Sequence, residues 1–186
     1  MNLLILAALP SELDGARAPS DARVLYTGLG KVKAAVAATE AILESRPDLV
    51  VNYGSAGRIR PGVEGLVEIA RVLQRDMTTE PIAPRGLTPF TPDPPVYFSG
   101  FGTALCGTGD SFVTAADPWL VEKGVDVVDM ELFAIAHVCA RFAIPWRSFK
   151  FVTDDANEVA ADQWEENVAN GEALFWAELA WILAQK

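Results

Sequence analysis

The stretch Asp126-Val-Val-Asp-Met-Glu-Leu-Phe-Ala-Ile-Ala-His-Val-Cys-Ala-Arg-Phe-Ala-Ile-Pro-Trp-Arg-Ser-Phe-Lys-Phe-Val-Thr-Asp-Asp-Ala-Asn157 decides the fold. Asp126–Met130 is a short apolar run and reads as a strand that delivers Asp129, Met130 and Glu131 at its end. An apolar helix follows over Leu132–Arg141, and Pro145 separates it from what comes next. Arg147–Val152 reads as a second strand, running into Thr153, Asp154 and Asp155. Two acidic groups, Glu131 and Asp154, therefore fall at the carboxyl ends of two strands. In open α/β sheets that edge is where ligands bind, so the two carboxylates are predicted to belong to one site.

Upstream, Asn2–Leu9 is a continuous apolar run, as expected of a strand covered on both faces. Pro10 stops it and Glu12 follows. Glu12 reads two ways: a first-turn acid of a short helix capped by Ser11, or the first functional carboxylate past strand one. Ala22–Tyr26 is a short strand. Thr27-Gly-Leu-Gly-Lys31 then turns into an alanine-rich helix, Lys31–Glu44. A glycine turn before a helix can hold phosphate, but the full GxGxxG and Walker spacings are both missing. Asp48–Tyr53 is the next buried strand, and Gly54-Ser-Ala-Gly57 reads as a turn at its end. That turn either simply reverses the chain or brings backbone and the Ser55 hydroxyl close to a ligand.

Gly65–Leu73 is strand-like. Thr78–Pro95 holds five prolines and reads as an irregular loop, and Val96–Cys106 carries one or two short strands. Gly107-Thr-Gly-Asp-Ser-Phe-Val113 again suggests backbone near a ligand, with Phe112 either a stacking face or a core residue. Asp117–Lys123 is a short helix capped by Asp117. His137, the single histidine, sits mid-helix among apolar residues and reads as a helix-face or core group rather than a base. Ala160–Gln185 is predicted to be one amphipathic terminal helix, with Trp164, Leu174, Phe175, Leu179, Trp181, Ile182 and Leu183 along its apolar side. Alternating strands and helices make the class α/β, with a central mixed or mostly parallel sheet.

Bulk properties narrow the function. A chain of 186 residues suits a single domain. Hydrophobic residues make up 51% and charged residues 22%, which suits a packed core and argues against disorder. The net charge of −10 excludes an ordinary nucleic-acid surface, which is basic. A small neutral or cationic ligand remains compatible. Cys106 and Cys139 form no CxxC pair and read as buried thiols. With one histidine and no second sulfur nearby, no metal is expected. The apolar N-terminus lacks a basic segment and is too short to span a membrane, so a cytoplasmic protein is expected.

Five blocks together resemble the nucleoside phosphorylase/nucleosidase superfamily, most of all its bacterial 5′-methylthioadenosine/S-adenosylhomocysteine nucleosidases. They are the opening strand to Glu12, Thr27-Gly-Leu-Gly-Lys-Val-Lys-Ala-Ala35, Val51-Asn-Tyr-Gly-Ser-Ala-Gly57, Gly109-Asp-Ser-Phe-Val113, and Asp129-Met-Glu131 through to Val152-Thr-Asp-Asp-Ala156. Each is weak alone; their order and spacing carry the resemblance. It implies one α/β domain (residues 1–186) with a twisted, partly closed mixed sheet flanked by helices, no cofactor, and usually a homodimer. It also implies roles. Asp154 matches the acid that protonates purine N7. Glu131 matches the glutamate that binds the ribose hydroxyls, and Met130 packs beneath the sugar. Phe112 stacks on the base and the Val113 backbone reads its edge. Glu12 matches the group that activates water, with Ser55 in the same pocket. Thr153 stands where a serine is usual beside the acid, Trp164 closes over the base, and Leu29 joins the substrate-binding set.

The implied chemistry suits these residue types. A purine leaves poorly as an anion, so an acid must protonate it while the sugar takes on positive character that nearby negative charge stabilises. Asp154 then needs a raised pKa, for which Asp155 is the neighbouring candidate. Water is favoured over phosphate as nucleophile. Asn52 stands where family phosphorylases carry a phosphate-binding arginine, and Glu12 would repel the anion; Arg58 alone speaks for phosphate. A nucleoside-binding protein without turnover is the third possibility. The chain is short for the family, with the trimming after Glu12 and in the proline-rich loop, and Lys150 replaces an arginine.

Overall fold

Leu3–Ala7 (β1) is apolar at every position because both its faces are covered. Leu4 and Leu6 point to a cluster with Ala34, Ala38 and Ala41 of helix Lys31–Ser45 (α1). Leu3 and Ile5 point the other way, to Phe175, Leu179 and Ile182 of helix Glu172–Ala184 (α5). The small alanines of α1 let that helix lie close to the sheet. The computed structural model describes residues 1–115, 117–157 and 160–185.

The remaining strands are Ala22–Tyr26 (β2), Leu49–Arg58 (β3), Leu66–Gln74 (β4), Val96–Phe98 (β5), Ala104–Thr108 (β6), Val127–Asp129 (β7) and Trp146–Asp154 (β8). The helices between α1 and α5 are Pro118–Glu122 (α2), Leu132–Phe142 (α3) and Ala160–Asn167 (α4). β1 pairs in parallel with β2 and with β3. β3 pairs in parallel with β8, β8 antiparallel with β4, β4 in parallel with β6, β6 in parallel with β7, and β7 antiparallel with the far end of β3. The sheet is thus mixed, as expected, and five of its strands close on themselves. β1 and β2 extend from one side of this ring, and β5 extends from β4.

Closure depends on Gly54–Gly57, and here the expected turn is overturned. These residues continue β3 to Arg58. The register against β8 shifts between Ala56 and Gly57, and beyond that point β3 pairs with β7 (Gly57 with Val128, Arg58 with Val127). Small residues within a strand mark such bends and close approaches. A Cβ on Gly57 would lie 2.7 Å from Asp154 Oδ1, so only glycine leaves room for that carboxylate.

The expected single terminal helix is also two. α4 ends at Asn167 and α5 starts at Glu172. Gly171, between them, passes so close to β3 and β8 that a Cβ there would stand 2.6 Å from the Tyr53 hydroxyl. The break resets the helical phase. Phe175, Leu179 and Ile182 are buried, whereas Leu174 and Trp181, expected on the same apolar side, are 50% and 59% exposed. Asp117 caps α2 as expected, its side chain accepting from the Trp119 amide. Among the described residues no helix is long and apolar enough to cross a membrane.

Candidate active site

Glu12, Glu131 and Asp154 converge on one cavity of about 110 Å³. Leu29, Ser55, Phe112, Val113, Met130 and Trp164 line it as well. Two grooves elsewhere are larger, about 360 and 350 Å³, but each is bordered by a single carboxylate. The convergence follows from the sheet. β7 and β8 both end at this side, β3 bends across it, and the segment after β1 arrives next to β3.

Asp154 is the last residue of β8 and is buried. Its Oδ1 accepts from the Ala156 amide at 3.0 Å, and its Oδ2 from the Thr153 hydroxyl at 2.9 Å. Burial raises its pKa; these two hydrogen bonds oppose the rise, and neighbouring Asp155 adds to it. Desolvation contributes more to that rise than the neighbouring acid does. Thr153, expected in the substrate-binding set, does not line the cavity; its hydroxyl meets Asp154.

Glu131 follows β7 at the N-cap position of α3, where its side chain leaves the helix amides to Asp129. Its Oε1 accepts from the Gly30 amide at 2.8 Å. Its pKa is raised to about 7, first by burial and then by Asp129; Lys150 and the Gly30 amide limit the rise. Below it lies a fully buried ion pair, Lys150 Nζ to Asp129 Oδ2 at 2.7 Å. Burial works against the charge on Asp129, but Lys150, the Thr108 hydroxyl and the Leu132 amide outweigh it and hold the pKa low. Lys150 is itself held protonated: Asp129 and Glu131 outweigh its burial.

Glu12 does not sit in a helix. It closes a turn, its amide donating to the Leu9 carbonyl at 3.1 Å, and is 4% exposed. Its Oε2 accepts from the Ala8 and Leu9 amides, each at 3.1 Å. Its Oε1 accepts from the Ser55 amide at 2.9 Å and the Ser55 hydroxyl at 2.7 Å. The Trp164 indole N–H donates to that same hydroxyl at 2.8 Å, linking α4 to Glu12. Phe112 stands edge-on to Trp164, with ring centroids 6.4 Å apart, and is 46% exposed, which places it at the site rather than in the core.

Positive groups near the cavity are already engaged. Arg58 pairs with Asp155. The amides that open α1, the ready anion site of a helix start, are taken by protein carboxylates: Gly30 N by Glu131 and Lys31 N by Asp110 at 2.7 Å. Asn52 is buried in the core, donating to the Leu6 carbonyl at 3.0 Å and accepting from the Ser148 hydroxyl at 2.9 Å. His137 meets the Tyr97 hydroxyl at 2.8 Å, away from this cavity. Cys106 and Cys139 are buried free thiols. Among the described residues no cluster of three metal-ligating side chains occurs.

The family model of the Phosphorylase superfamily matches residues 20–105 and 98–179. The chain belongs to the phosphorylase superfamily, as a nucleosidase. It is 31% identical over 194 residues to a 5′-methylthioadenosine/S-adenosylhomocysteine nucleosidase of Geobacillus kaustophilus, covering 89% of this chain and 82% of that protein. A Geobacillus thermodenitrificans protein of the same name is 32% identical over 194 residues, with 89% of this chain and 81% of that protein covered. The fold is shared with the Neisseria meningitidis 5′-methylthioadenosine/S-adenosylhomocysteine nucleosidase in complex with methylthio-immucillin-A, at a TM-score of 0.86, 22% identity and 99% coverage of both chains. It is shared equally with Helicobacter pylori futalosine hydrolase, at a TM-score of 0.86, 18% identity, and 99% and 97% coverage.

Two parts of the nucleosidase cavity escaped the sequence reading. In the sequence Asp129 is only a neighbour of Glu131, because nothing local announces that Lys150, 21 positions on, will meet it. Arg75 directly follows an unremarkable strand, yet it borders the cavity and is 5% exposed. The available signal is the charged pair Arg75-Asp76 directly after an apolar strand.

Proposed function

We propose that this nucleosidase hydrolyses the N-glycosidic bond of an adenosine-type nucleoside, with 5′-modified substrates such as 5′-methylthioadenosine preferred. The supporting observation is the gathering of three carboxylates in three different environments around one cavity. Asp154, made easier to protonate by burial, donates to purine N7 as the bond to the sugar breaks. Phe112 and Trp164 flank the base, and the Val113 backbone meets its edge. Glu131 receives the ribose hydroxyls over Met130, and its charge stabilises the positive sugar. Glu12 takes a proton from the attacking water. That water would replace the Ser55 hydroxyl on Oε1, the one of the four donors that can turn away. Leu29, 46% exposed at the cavity, offers apolar surface to the 5′-group.

Engagement of Arg58, Lys150 and the α1 amides by protein carboxylates supports water over phosphate. The deciding assay follows free base from a nucleoside panel with and without phosphate. Release of adenine from 5′-methylthioadenosine without phosphate is expected, and Asp154→Asn is expected to lower kcat by about 10²–10⁴-fold. A strict phosphate requirement with formation of ribose 1-phosphate would select phosphorolysis, and tight adenine binding without turnover would select a binding protein. We further propose a homodimer formed over the exposed apolar residues Val32, Val36 and Leu43 of α1. Sedimentation as a monomer at micromolar concentration would exclude it.

A further inference from the structure

We propose that Arg75 and Asp76 are positioning residues that bracket the loop Gly109–Val113 and tie it to the carboxylate at the ribose end of the cavity. The assignment of this loop to the base rests on the proposed function; the bracket itself does not.

Arg75 and Asp76 follow directly on β4, beside the end of β6. The Arg75 guanidinium takes the loop's carbonyls. Its Nη2 donates to the Gly109 carbonyl at 3.0 Å and to the Ser111 carbonyl, and its Nη1 donates to the Ser111 hydroxyl at 3.2 Å. Asp76 takes the intervening amide, Asp110 N to Oδ2 at 2.8 Å. The loop lies directly on the pair: a Cβ on Gly109 would stand 2.9 Å from Arg75 Cγ and 3.0 Å from Asp76 Cγ. Phe112 and Val113 make no backbone hydrogen bond of their own among the described residues. Their backbone is therefore held through Gly109–Ser111, with the Val113 side chain packed on the cluster of Leu105 and Leu120 and Phe112 against Trp164, and the Val113 backbone is left open for a ligand.

A second set of contacts carries this anchor across the cavity. Lys31 Nζ meets Asp76 Oδ1 at 2.5 Å and lies 3.8 Å from Asp110 Oδ2. The Lys31 amide donates to Asp110 Oδ1, and the preceding amide, Gly30, donates to Glu131. The start of α1 is thus shared by the loop that carries Phe112 and by Glu131. A shift of the loop would move the α1 amides and with them the partner of Glu131. Arginine is required at position 75 because its planar fork serves several acceptors at once, whereas lysine is a point donor.

The test compares the native protein with Arg75→Lys and Asp76→Asn. Amide hydrogen exchange without ligand comes first. We expect exchange in peptides covering 109–113 to quicken by roughly tenfold or more in Arg75→Lys, the scale of one charge-assisted hydrogen bond, with β1 and α5 unchanged. Adenine is then titrated as the probe. Its Kd should rise by roughly tenfold in Arg75→Lys, and KM for 5′-methylthioadenosine should rise by more than kcat falls. Unchanged exchange in 109–113, or equal acceleration throughout the chain, would overturn the bracket. Accelerated loop exchange with a native Kd for adenine would refute its role in base placement. If the native protein neither binds adenine nor cleaves nucleosides, the functional reading fails, while the exchange result still decides the bracket.

Discussion

Replacing Glu131 with Gln should stabilise the protein above pH 7 while lowering its activity. Glu131 is 7% exposed, and its pKa moves from 4.5 to about 7. At about 1.4 kcal/mol per tenfold, ionising it in the folded protein is harder by about 3 kcal/mol than in the unfolded chain. Between those two pKa values the folded protein holds a proton that the unfolded chain has released. Stability therefore falls as pH rises from about 4.5 to about 7, and the full cost persists above that. Glutamine keeps the shape and an oxygen for the Gly30 amide but carries no charge. The attraction of Lys150 is already contained in that net shift. The upper bound is about 3 kcal/mol at pH 8, or roughly 6–12 °C in Tm for a chain of this size. Urea titrations at pH 5.5 and pH 8 measure it directly. The native protein should be less stable at pH 8, and most of that difference should vanish in Glu131→Gln. Parallel pH dependence in the two proteins would show that Glu131 does not titrate in this window. Activity should fall by about 10²-fold or more, as the charge opposite the developing cation is lost.

Asp155→Asn removes a charge that raises the Asp154 pKa, so the alkaline limb of kcat, where Asp154 loses its proton, should move to lower pH; an unmoved limb would count against Asp154 as the acid. Gly57→Ala places a methyl group 2.7 Å from Asp154 Oδ1. Displacing that carboxylate should lower kcat by about 10²-fold, and overpacking should cost roughly 1–3 kcal/mol of stability in a urea titration. Trp164→Phe keeps a ring beside Phe112 but deletes the donor to Ser55; steady-state kinetics should show a loss of up to about tenfold, the worth of one neutral hydrogen bond.

Much of the fold was legible because the signals are local. β1, α1 and α3 follow from apolar runs and alanine content, and their ends agree with expectation to within a residue or two. Two elements differ from the sequence expectation for one shared reason. Gly54–Gly57 looks like a turn, whereas Gly171 lies unmarked inside an amphipathic pattern. At Gly57 and Gly171, however, glycine answers to crowding from residues distant in sequence, Asp154 in one case and Tyr53 in the other. Such crowding exists only after the sheet has closed. The first therefore continues a strand that was expected to stop, and the second interrupts a helix that was expected to continue.

By itself the sequence determined which groups are available for chemistry. It placed Glu131 and Asp154 at two strand ends, put Glu12 after a third, and withheld an arginine at position 52. Tertiary structure alone decided what state those groups are in. Burial lifts Asp154 and Glu131, while the Lys150–Asp129 pair beneath limits how far Glu131 rises. Only the fold commits Arg58 to Asp155 and the α1 amides to Glu131 and Asp110. Protonation and occupancy depend on distance and desolvation, and the closing of β3 onto β7 and β8 sets both.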